Sequence, residues 1–268
     1  MPMTFDALRK IENETERVSA LYQLFDEGTR LNQSKAARVE FLTTVQIIER
    51  YLKKGNKIID IGAGAGEYSL HFAQEGYEVT AVELAEANIN AFRNKLCPAL
   101  NISLYQGNAC DLSEFDDSAY DIVLVFGPLY HLLKPEDRSK CICEAMRICK
   151  SGGTIFFSFI SNDMVILTES FGYTPDFFIG NTYDHDSFKV EDFPFVFFTV
   201  DQARNMLIDE NIQILAEVAA DGVSELFADK INALCDKSYA QYLKYHMYCC
   251  EKPEMLGRSN HLLFVGRK

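Results

Sequence analysis

The stretch IDIGAGAGEYSLHF, residues 59–72, decides the fold, because three glycines fall within five positions directly after a short apolar run. The run Lys57 to Ile61 predicts a buried strand, and a helix is predicted to follow through Phe72 and Ala73. Glycines at such a junction allow a tight turn and a close approach of the backbone to a neighbour. That neighbour is a dinucleotide, a triphosphate, an adenosyl cofactor or only an adjacent helix.

The spacing of the glycines argues against two of these ligands. A triphosphate loop requires a lysine after its last glycine, and none follows here. A dinucleotide fingerprint started at Gly62 requires a third glycine at the position of Glu67. Two acids, Asp60 and Glu67, flank the loop, whereas a pyrophosphate is favoured by free amides without a nearby carboxylate. The pattern suits a ligand that carries an ammonium group.

Short apolar runs alternate with helical stretches along most of the chain. Strands are predicted over residues 57–61, 78–84, 102–107, 120–127, 154–160, 212–220 and 261–268. A helix is predicted from about Pro135 to Cys149, and the capping box TVDQ at Thr199 opens another that ends at Glu210. This repetition predicts an α/β fold with a doubly wound, seven-stranded, mostly parallel sheet.

Three segments fall outside the repetition, and a single domain over residues 1–268 is predicted to contain them. Residues 1–54 are predicted to form an N-terminal helical lid, with its second helix running from about Ser34 to Leu52. The cofactor-binding core is assigned to residues 55–160 and 199–268. Two cap insertions, one rich in aromatic residues and one helical, are assigned to residues 161–198 and 224–255.

Composition narrows the choice of partners. The formal net charge is −13, and no basic stripe is present, so nucleic-acid binding is not expected. The start lacks a signal-peptide pattern and the apolar runs are too short to span a bilayer. We therefore expect a cytoplasmic protein, a monomer or homodimer, with a small-molecule substrate and no membrane contact. The eight cysteines lack zinc-ligand spacing, so no metal is expected and most should be small buried apolar residues.

Three further motifs lie at the ends of the predicted strands. The second strand ends in AVELAEANI, which places Glu83 about twenty residues beyond the loop. The third is followed by GNACDL and the fourth by FGPLYHLL, from Phe126 to Leu133. Together with the glycine loop, these motifs resemble those of the class I S-adenosylmethionine-dependent methyltransferases.

The resemblance implies a Rossmann-like methyltransferase fold with S-adenosyl-L-methionine as cofactor. In such proteins the glycine loop approaches the amino-acid portion of the cofactor, and the acid after strand two binds both ribose hydroxyls. Asn108 takes the place of the usual aspartate at the adenine edge, with Asp111 as the alternative acceptor. The cofactor-binding residues expected in this sequence are Asp60, Gly62, Ala63, Gly64, Glu83, Leu84, Asn108, Ala109, Asp111 and Phe126.

Arg30 is a further candidate, because a guanidinium pairs well with the cofactor's carboxylate if the N-terminal segment folds over the site. His131 ends the fourth motif and is the candidate base that removes a proton from the acceptor. Tyr130 is expected to line the substrate pocket, while no chemical role is expected for His246 or His261. The expected function is methyl transfer to a small molecule. A non-catalytic adenosyl-binding sensor and a nicotinamide oxidoreductase are the alternatives.

Overall fold

The computed structural model describes residues 4–24 and 28–268. Its sheet is built of β1 (Lys57–Ile61), β2 (Glu78–Glu83), β3 (Ile102–Gln106), β4 (Tyr120–Val125), β5 (Cys149–Ser161), β6 (Phe197–Phe198), β7 (Gln213–Ala219) and β8 (His261–Arg267). The strand order is β3-β2-β1-β4-β5-β8-β7, with β6 paired to β5. β8 runs antiparallel to β5 and β7, and the other pairs are parallel. The predicted seven-stranded, mostly parallel sheet is confirmed, with β6 as an eighth strand too short to leave a sequence pattern.

Helices cover both faces of the sheet. They are α1 (Phe5–Leu8), α2 (Glu14–Leu21), α3 (Arg38–Glu49), α4 (Glu67–Gln74), α5 (Glu86–Arg93), α6 (Pro128–His131), α7 (Pro135–Ile148), α8 (Asn162–Thr168), α9 (Val200–Asp209), α10 (Ala228–Asn232), α11 (Asp236–Cys249) and α12 (Pro253–Leu256). Thr199 makes the predicted capping box at the start of α9. Within the described ranges, no helix is long and apolar enough to span a bilayer.

The two largest apolar clusters among the described residues lie one on each face of the sheet. Ile59, Val123 and Phe157 belong to one cluster, while Ile58 and Phe156 belong to the other. Adjacent residues of one strand therefore serve opposite faces, as expected of strands covered by helices on both sides. The carboxyl ends of these strands lie along one edge of the sheet, where ligands bind in such folds.

Helix α3 is shorter and more deeply buried than its sequence suggests. It begins at Arg38 rather than near Ser34, and turns occupy the residues before it. Apolar periodicity predicts one buried face, yet Glu40, Thr43 and Thr44 are buried as well. Glu40 is paired with Arg30, whereas the Thr43 hydroxyl has no hydrogen-bond partner among the described residues.

Both insertions contact the N-terminal segment. In residues 161–198, α8 is followed by a π-helical turn (Glu169–Tyr173) and a 3-10 turn (Pro175–Ile179), and Glu191 pairs with Arg9 beside α1. In residues 224–255, the Leu234 carbonyl and Asp236 accept hydrogen bonds from Lys35. The division into lid, core and caps stays a prediction.

All eight cysteines are free thiols. Four are buried (Cys141, Cys149, Cys249 and Cys250), Cys110 is half-buried, and three are exposed (Cys97, Cys143 and Cys235). The expectation that most are buried apolar residues therefore holds for only half of them.

Candidate functional site

The three glycines of the loop have different neighbours. A β-carbon on Gly66 would lie 2.4 Å from the ring of Phe92, and one on Gly62 would lie 2.7 Å from the Pro128 ring. A β-carbon on Gly64 would meet no atom of the described residues within 4 Å. All three residues have positive φ, between 56° and 86°, which favours glycine. Two glycines thus permit packing, while Gly64 leaves space beside the backbone for a ligand.

Glu83 lies at the end of β2, next to this loop, and is buried. Its Oε2 accepts a hydrogen bond from the Gly64 amide at 2.7 Å, and its Oε1 accepts one from the Ala85 amide at 2.8 Å. Burial raises the pKa of this carboxyl group, and the two amides and the Asn88 side chain oppose that rise. The side chain therefore fixes the loop as well as facing the cavity beside it.

Asp60 lies on the other side of the loop, and only one of its two carboxylate oxygens accepts a hydrogen bond from the described residues. Its Oδ2 accepts a hydrogen bond from the Ser69 hydroxyl at 2.7 Å, whereas its buried Oδ1 has no partner within the described residues. Burial raises the pKa of Asp60 to about 7, and the nearby Glu83 adds to that rise. A buried carboxylate oxygen without a donor suits a ligand that brings a positive charge.

The larger of two cavities at this edge has a volume of about 370 Å³, within the range of cofactor pockets. The sheet contributes Gly62, Val82, Glu83, Leu84 and Gly107, and the loop after β3 contributes Asn108, Ala109 and Cys110. Helix α2 and its flanks close the opposite side with Asn13, Glu14, Thr15, Val18 and Tyr22. Gly127, Pro128, His131, Leu132, Asp137 and Lys140 complete the lining.

Of the two adenine-edge candidates, the structure brings Asn108 to this cavity and does not bring Asp111. The Asn108 Oδ1 accepts a hydrogen bond from the Cys110 amide at 2.9 Å, so the side chain orders the turn. The Asp111 side chain is exposed, and its carboxylate accepts a hydrogen bond from the Ser113 amide. Asp111 does not line this cavity, because its carboxylate caps the next turn, and its role at the adenine edge stays a prediction.

The smaller cavity has a volume of about 50 Å³ and lies on the other side of Gly62. It is lined by Tyr22, Arg30, Leu31, Glu40, Thr44, Asp60, Gly62, Ala63, Gly64, Ala65, Glu67, Tyr68, Phe126, Tyr130, Ser158, Ala220 and Leu263. The sequence candidates Arg30, Phe126 and Tyr130 thus meet the loop here. Gly62 and Tyr22 line both cavities, so the two spaces adjoin each other.

The surroundings of His131 keep its imidazole ring hydrogen-bonded and uncharged. It is buried, its Nε2 lies 2.7 Å from the Tyr22 hydroxyl, and its Nδ1 has no partner in the part of the chain that the structure describes. Burial and the nearby Arg17 lower the pKa of His131 to about 3. The imidazole is therefore neutral near pH 7, and its contact with Tyr22 ties α2 to the end of β4.

Arg30 and Glu67 are held by other side chains at the smaller cavity. The Arg30 guanidinium donates to both carboxylate oxygens of Glu40, at 2.7 and 3.3 Å. Glu67 pairs with Lys95 at 2.5 Å and also accepts a hydrogen bond from Asn32. Glu67 is thus neutralised within the protein, while Arg30 is fixed at the cavity wall by a carboxylate.

Three interacting side chains lie near this cavity: Glu40 and Asp221, which were not singled out in the sequence, are buried, and His261, for which no role was expected, is half-buried. The His261 Nδ1 lies 2.8 Å from Asp221 Oδ2 and 3.4 Å from Glu40 Oε2. Burial alone would lower the pKa of His261, but the two carboxylates raise it to about 9. Burial opposes ionisation of Asp221, yet hydrogen bonds from His261 and Ser259 hold its pKa below the usual value. A charged residue within the apolar stretch RVEFL was the available signal for Glu40.

Comparison with known proteins agrees with this geometry. The family described as "Methyltransferase domain" matches residues 59–157. A ubiquinone biosynthesis O-methyltransferase from Pseudomonas fluorescens is 32% identical over 118 residues, which cover 44% of this chain and 50% of that protein. The matched region thus spans about half the length of this curated relative.

Solved structures share the fold over most of the chain. A SAM-dependent methyltransferase from Methanosarcina mazei superposes with a TM-score of 0.53 and 21% identity, covering 83% of this chain and 96% of that one. A protein from Pyrococcus horikoshii gives a TM-score of 0.59 and 19% identity, covering 92% and 97%. The family match over residues 59–157 confirms the predicted resemblance to class I S-adenosylmethionine-dependent methyltransferases, and the solved structures confirm the fold.

The residues present fit the cofactor of this class. Asp60 Oδ1 offers an unpaired buried acceptor for an ammonium group, and Gly64 leaves room beside the loop backbone. Glu83 lines a cavity of sufficient size for the adenosine portion, with Leu84 and Asn108. These residues would therefore hold the two ends of S-adenosyl-L-methionine on either side of Gly62.

Proposed function

We propose that this protein transfers a methyl group from S-adenosyl-L-methionine to a small-molecule acceptor. The observation that carries the proposal is the pair of adjoining cavities that meet at Gly62 and Tyr22. One is lined by the groups expected to bind adenosine, and the other by Asp60, Gly64 and Arg30, which would bind the amino-acid end of the cofactor. Methyl transfer needs the junction of the two cavities to be accessible to the acceptor, because donor and acceptor must meet in line at one point.

The protein's contribution would be binding, orientation and exclusion of water. The bound cofactor supplies a sulfonium whose methyl group is already activated for transfer. Glu83 and Asp60 would fix the two ends of the cofactor, and Arg30 lies where it would face the cofactor's carboxylate. Tyr22 and α2 cover the junction of the cavities, so the acceptor would be shielded from solvent.

His131 remains a candidate for the acceptor's base, with its role changed by its surroundings. Because its pKa lies near 3, the imidazole is unprotonated and available at neutral pH. The same low pKa makes His131 a weak base. We therefore propose that its main contribution is to position Tyr22. Tyr130 lines the smaller cavity, as Tyr22 does at its junction with the larger one, and is proposed to contact the substrate.

Calorimetric titration with S-adenosylhomocysteine and, separately, with NAD tests the cofactor. We expect binding of the first and none of the second, and the reverse would favour a nicotinamide oxidoreductase. Incubation with methyl-labelled S-adenosylmethionine and the low-molecular-mass fraction of a cell extract tests the transfer. Tight binding of S-adenosylhomocysteine without transfer to any acceptor would favour a non-catalytic sensor. Hydroxylated acceptors are the first to screen, since the curated relative is named as an O-methyltransferase.

The type of partner, the cellular location and the oligomeric state are also proposed here. An acidic chain with a net charge of −13 favours a small-molecule partner over nucleic acid. We propose a cytoplasmic monomer or homodimer, which sedimentation at several protein concentrations would test.

A further inference from the structure

The smaller cavity is lined by several acidic groups and one cation. Glu40, Asp60 and Glu67 line it, and among the described residues that do so only Arg30 is positively charged. Lys95 neutralises Glu67. The Arg30 guanidinium donates to both carboxylate oxygens of Glu40, at 2.7 and 3.3 Å. A ligand carboxylate that entered this cavity would therefore depend on Arg30 for its counter-charge.

Arg30 lies in a turn, so its side chain needs a support from elsewhere in the fold to keep one orientation. Residues 28–34 form turns and bends before α3, and the Arg30 side chain is 34% exposed. Glu40 belongs to α3 and is 8% exposed. Two hydrogen bonds to one carboxylate fix the plane of a guanidinium as well as its position, whereas a long exposed side chain otherwise keeps much of its rotamer freedom. Glu40 thus holds Arg30 from a buried helix.

A second charged pair lies behind Glu40. The His261 Nδ1 lies 3.4 Å from Glu40 Oε2 and 2.8 Å from Asp221 Oδ2. Asp221 also accepts a hydrogen bond from the Ser259 hydroxyl. The two carboxylates raise the pKa of His261 to about 9, so the imidazole is protonated near pH 7. The charge of Glu40 is then compensated within the protein, and its repulsion of a ligand carboxylate is reduced.

The network is poorly explained by stability alone. Burying charged pairs costs hydration, and well-packed apolar residues of similar volume often stabilise a protein as much or more. The four side chains instead form a row in the order Asp221, His261, Glu40 and Arg30. Only the last two line the cavity, so the row ends at the ligand space and supports the group that faces it.

On the basis of the proposed function, in which the smaller cavity takes the amino-acid end of the cofactor, we propose that Glu40 is a positioning residue for recognition of the cofactor's carboxylate. Glu40 orients the Arg30 guanidinium toward that carboxylate, and the His261–Asp221 pair fixes Glu40 and offsets its charge. The ammonium group is left to the unpaired Oδ1 of Asp60, so the two charges of the amino-acid end have separate partners.

The test compares two ligands by calorimetry. S-adenosylhomocysteine carries the amino-acid end, whereas methylthioadenosine keeps the adenosine and the sulfur without it. Glu40→Gln should weaken S-adenosylhomocysteine binding at least about tenfold and methylthioadenosine binding less than about twofold, since a hydrogen bond between charged groups is lost only for the first. Glu40→Asp, which keeps the charge on a shorter side chain, should give an intermediate loss. The exposed Glu49→Gln, in the same helix, should match the wild type.

A combined variant separates positioning from direct contact with the ligand. Arg30→Gln should cause a similar loss that is selective for S-adenosylhomocysteine. The variant that combines both changes should lose little more than Arg30→Gln alone, because Glu40 acts through Arg30. His261→Gln should give a smaller loss, again confined to S-adenosylhomocysteine.

Thermal melts show which variants fold, and the same criteria apply to Glu40→Asp and His261→Gln if Glu40→Gln does not. Equal affinity of folded Glu40→Gln and the wild type for S-adenosylhomocysteine would overturn this inference alone. So would equal losses for the two ligands, which indicate a general structural role, or fully additive losses in the combined variant. A wild type that binds neither ligand would overturn the proposed function together with this inference.

Discussion

The hydroxyl of Tyr22 lies 2.7 Å from Nε2 of His131, and this contact joins helix α2 to the motif that follows β4. The two residues are 109 positions apart in the sequence. A second link is close by, where the Leu133 amide donates to Glu14 at the start of α2. Helix α2 is thus fastened to the core at both of its ends, directly over the larger cavity.

Removal of the Tyr22 hydroxyl should loosen this cover. Tyr22→Phe leaves a buried imidazole nitrogen without its partner, so we expect a loss of about 1–2 kcal/mol in the free energy of unfolding. Affinity for S-adenosylhomocysteine should fall as well, because the cover is less often closed. Chemical denaturation and calorimetry measure the two effects. Tyr245→Phe, which alters an exposed ring, is the control, and equal behaviour of the two variants would contradict the prediction.

A fall in pH should lower the free energy of unfolding, because His131 binds a proton more readily in the unfolded chain. Its pKa is about 3 in the folded protein and near 6.5 when unfolded, so the unfolded chain binds the extra proton between these values. Stability contributed by His131 is therefore complete above about pH 6.5 and is lost as the pH falls toward 3. His131→Gln should flatten this part of the stability curve relative to the wild type. A denaturation series between pH 4 and 7 measures it, and identical slopes for the two proteins would refute the assignment.

Alanine substitutions at two loop glycines should have different effects: Gly66→Ala should mainly lower stability, and Gly64→Ala should mainly lower the affinity for the ligand. Gly66→Ala places a methyl group against the ring of buried Phe92, so we expect a loss of more than about 2 kcal/mol in stability. The methyl group of Gly64→Ala meets no neighbour in the part of the chain that the structure describes, so its cost should be about 1 kcal/mol from the positive φ alone. Binding of S-adenosylhomocysteine should nevertheless fall at least tenfold in Gly64→Ala, because the methyl group enters the ligand space. Comparable affinity in Gly64→Ala and wild type would show that no ligand approaches this position.

The parts of the site that were predicted from the sequence are those encoded locally. Gly62, Gly64 and Glu83 belong to strand-end motifs, where the position along the chain fixes the position at the edge of the sheet. The sequence left open whether the glycines serve packing or a ligand, and the structure shows that their surroundings differ. Gly66 contacts a helix, while Gly64 faces open space, and one spacing pattern contains both.

The remaining parts depend on contacts between distant segments. The cluster of Glu40, His261 and Asp221 brings together α3, the start of β8 and the loop after β7. No spacing rule links these positions in the sequence. The raised pKa of His261 depends on the two carboxylates, so it could not be predicted from the histidine alone. Asp111 was predicted as a ligand because its residue type fits, but local capping decides where its carboxylate lies.

Loss of one carboxylate oxygen at Glu83 should affect both stability and binding. In the wild type, the backbone amides of Gly64 and Ala85 each donate to one carboxylate oxygen of Glu83. The Glu83→Gln side chain has only one carbonyl oxygen, so one of the two amides loses its acceptor. We expect a loss of about 1–3 kcal/mol in unfolding free energy and at least tenfold in affinity for S-adenosylhomocysteine. Glu86→Gln, an exposed change three residues away, should alter neither quantity. A stable Glu83→Gln protein with wild-type affinity would exclude Glu83 from the cofactor site.

Asp60 should make stability and cofactor binding respond to pH in opposite directions. Its pKa is about 7 in the folded protein and near 3.8 when unfolded, so the folded chain holds the extra proton between these values. The stability contributed by protonated Asp60 is therefore present below about pH 4 and is lost as the pH rises through 7. The ammonium group of S-adenosylhomocysteine requires the ionised carboxylate, so affinity should rise roughly tenfold from pH 6 to 8. Asp60→Asn should remove both trends, whereas the exposed Asp209→Asn should keep them. Calorimetry across this pH range on the three proteins tests the assignment, and a pH-independent wild-type affinity would disprove it.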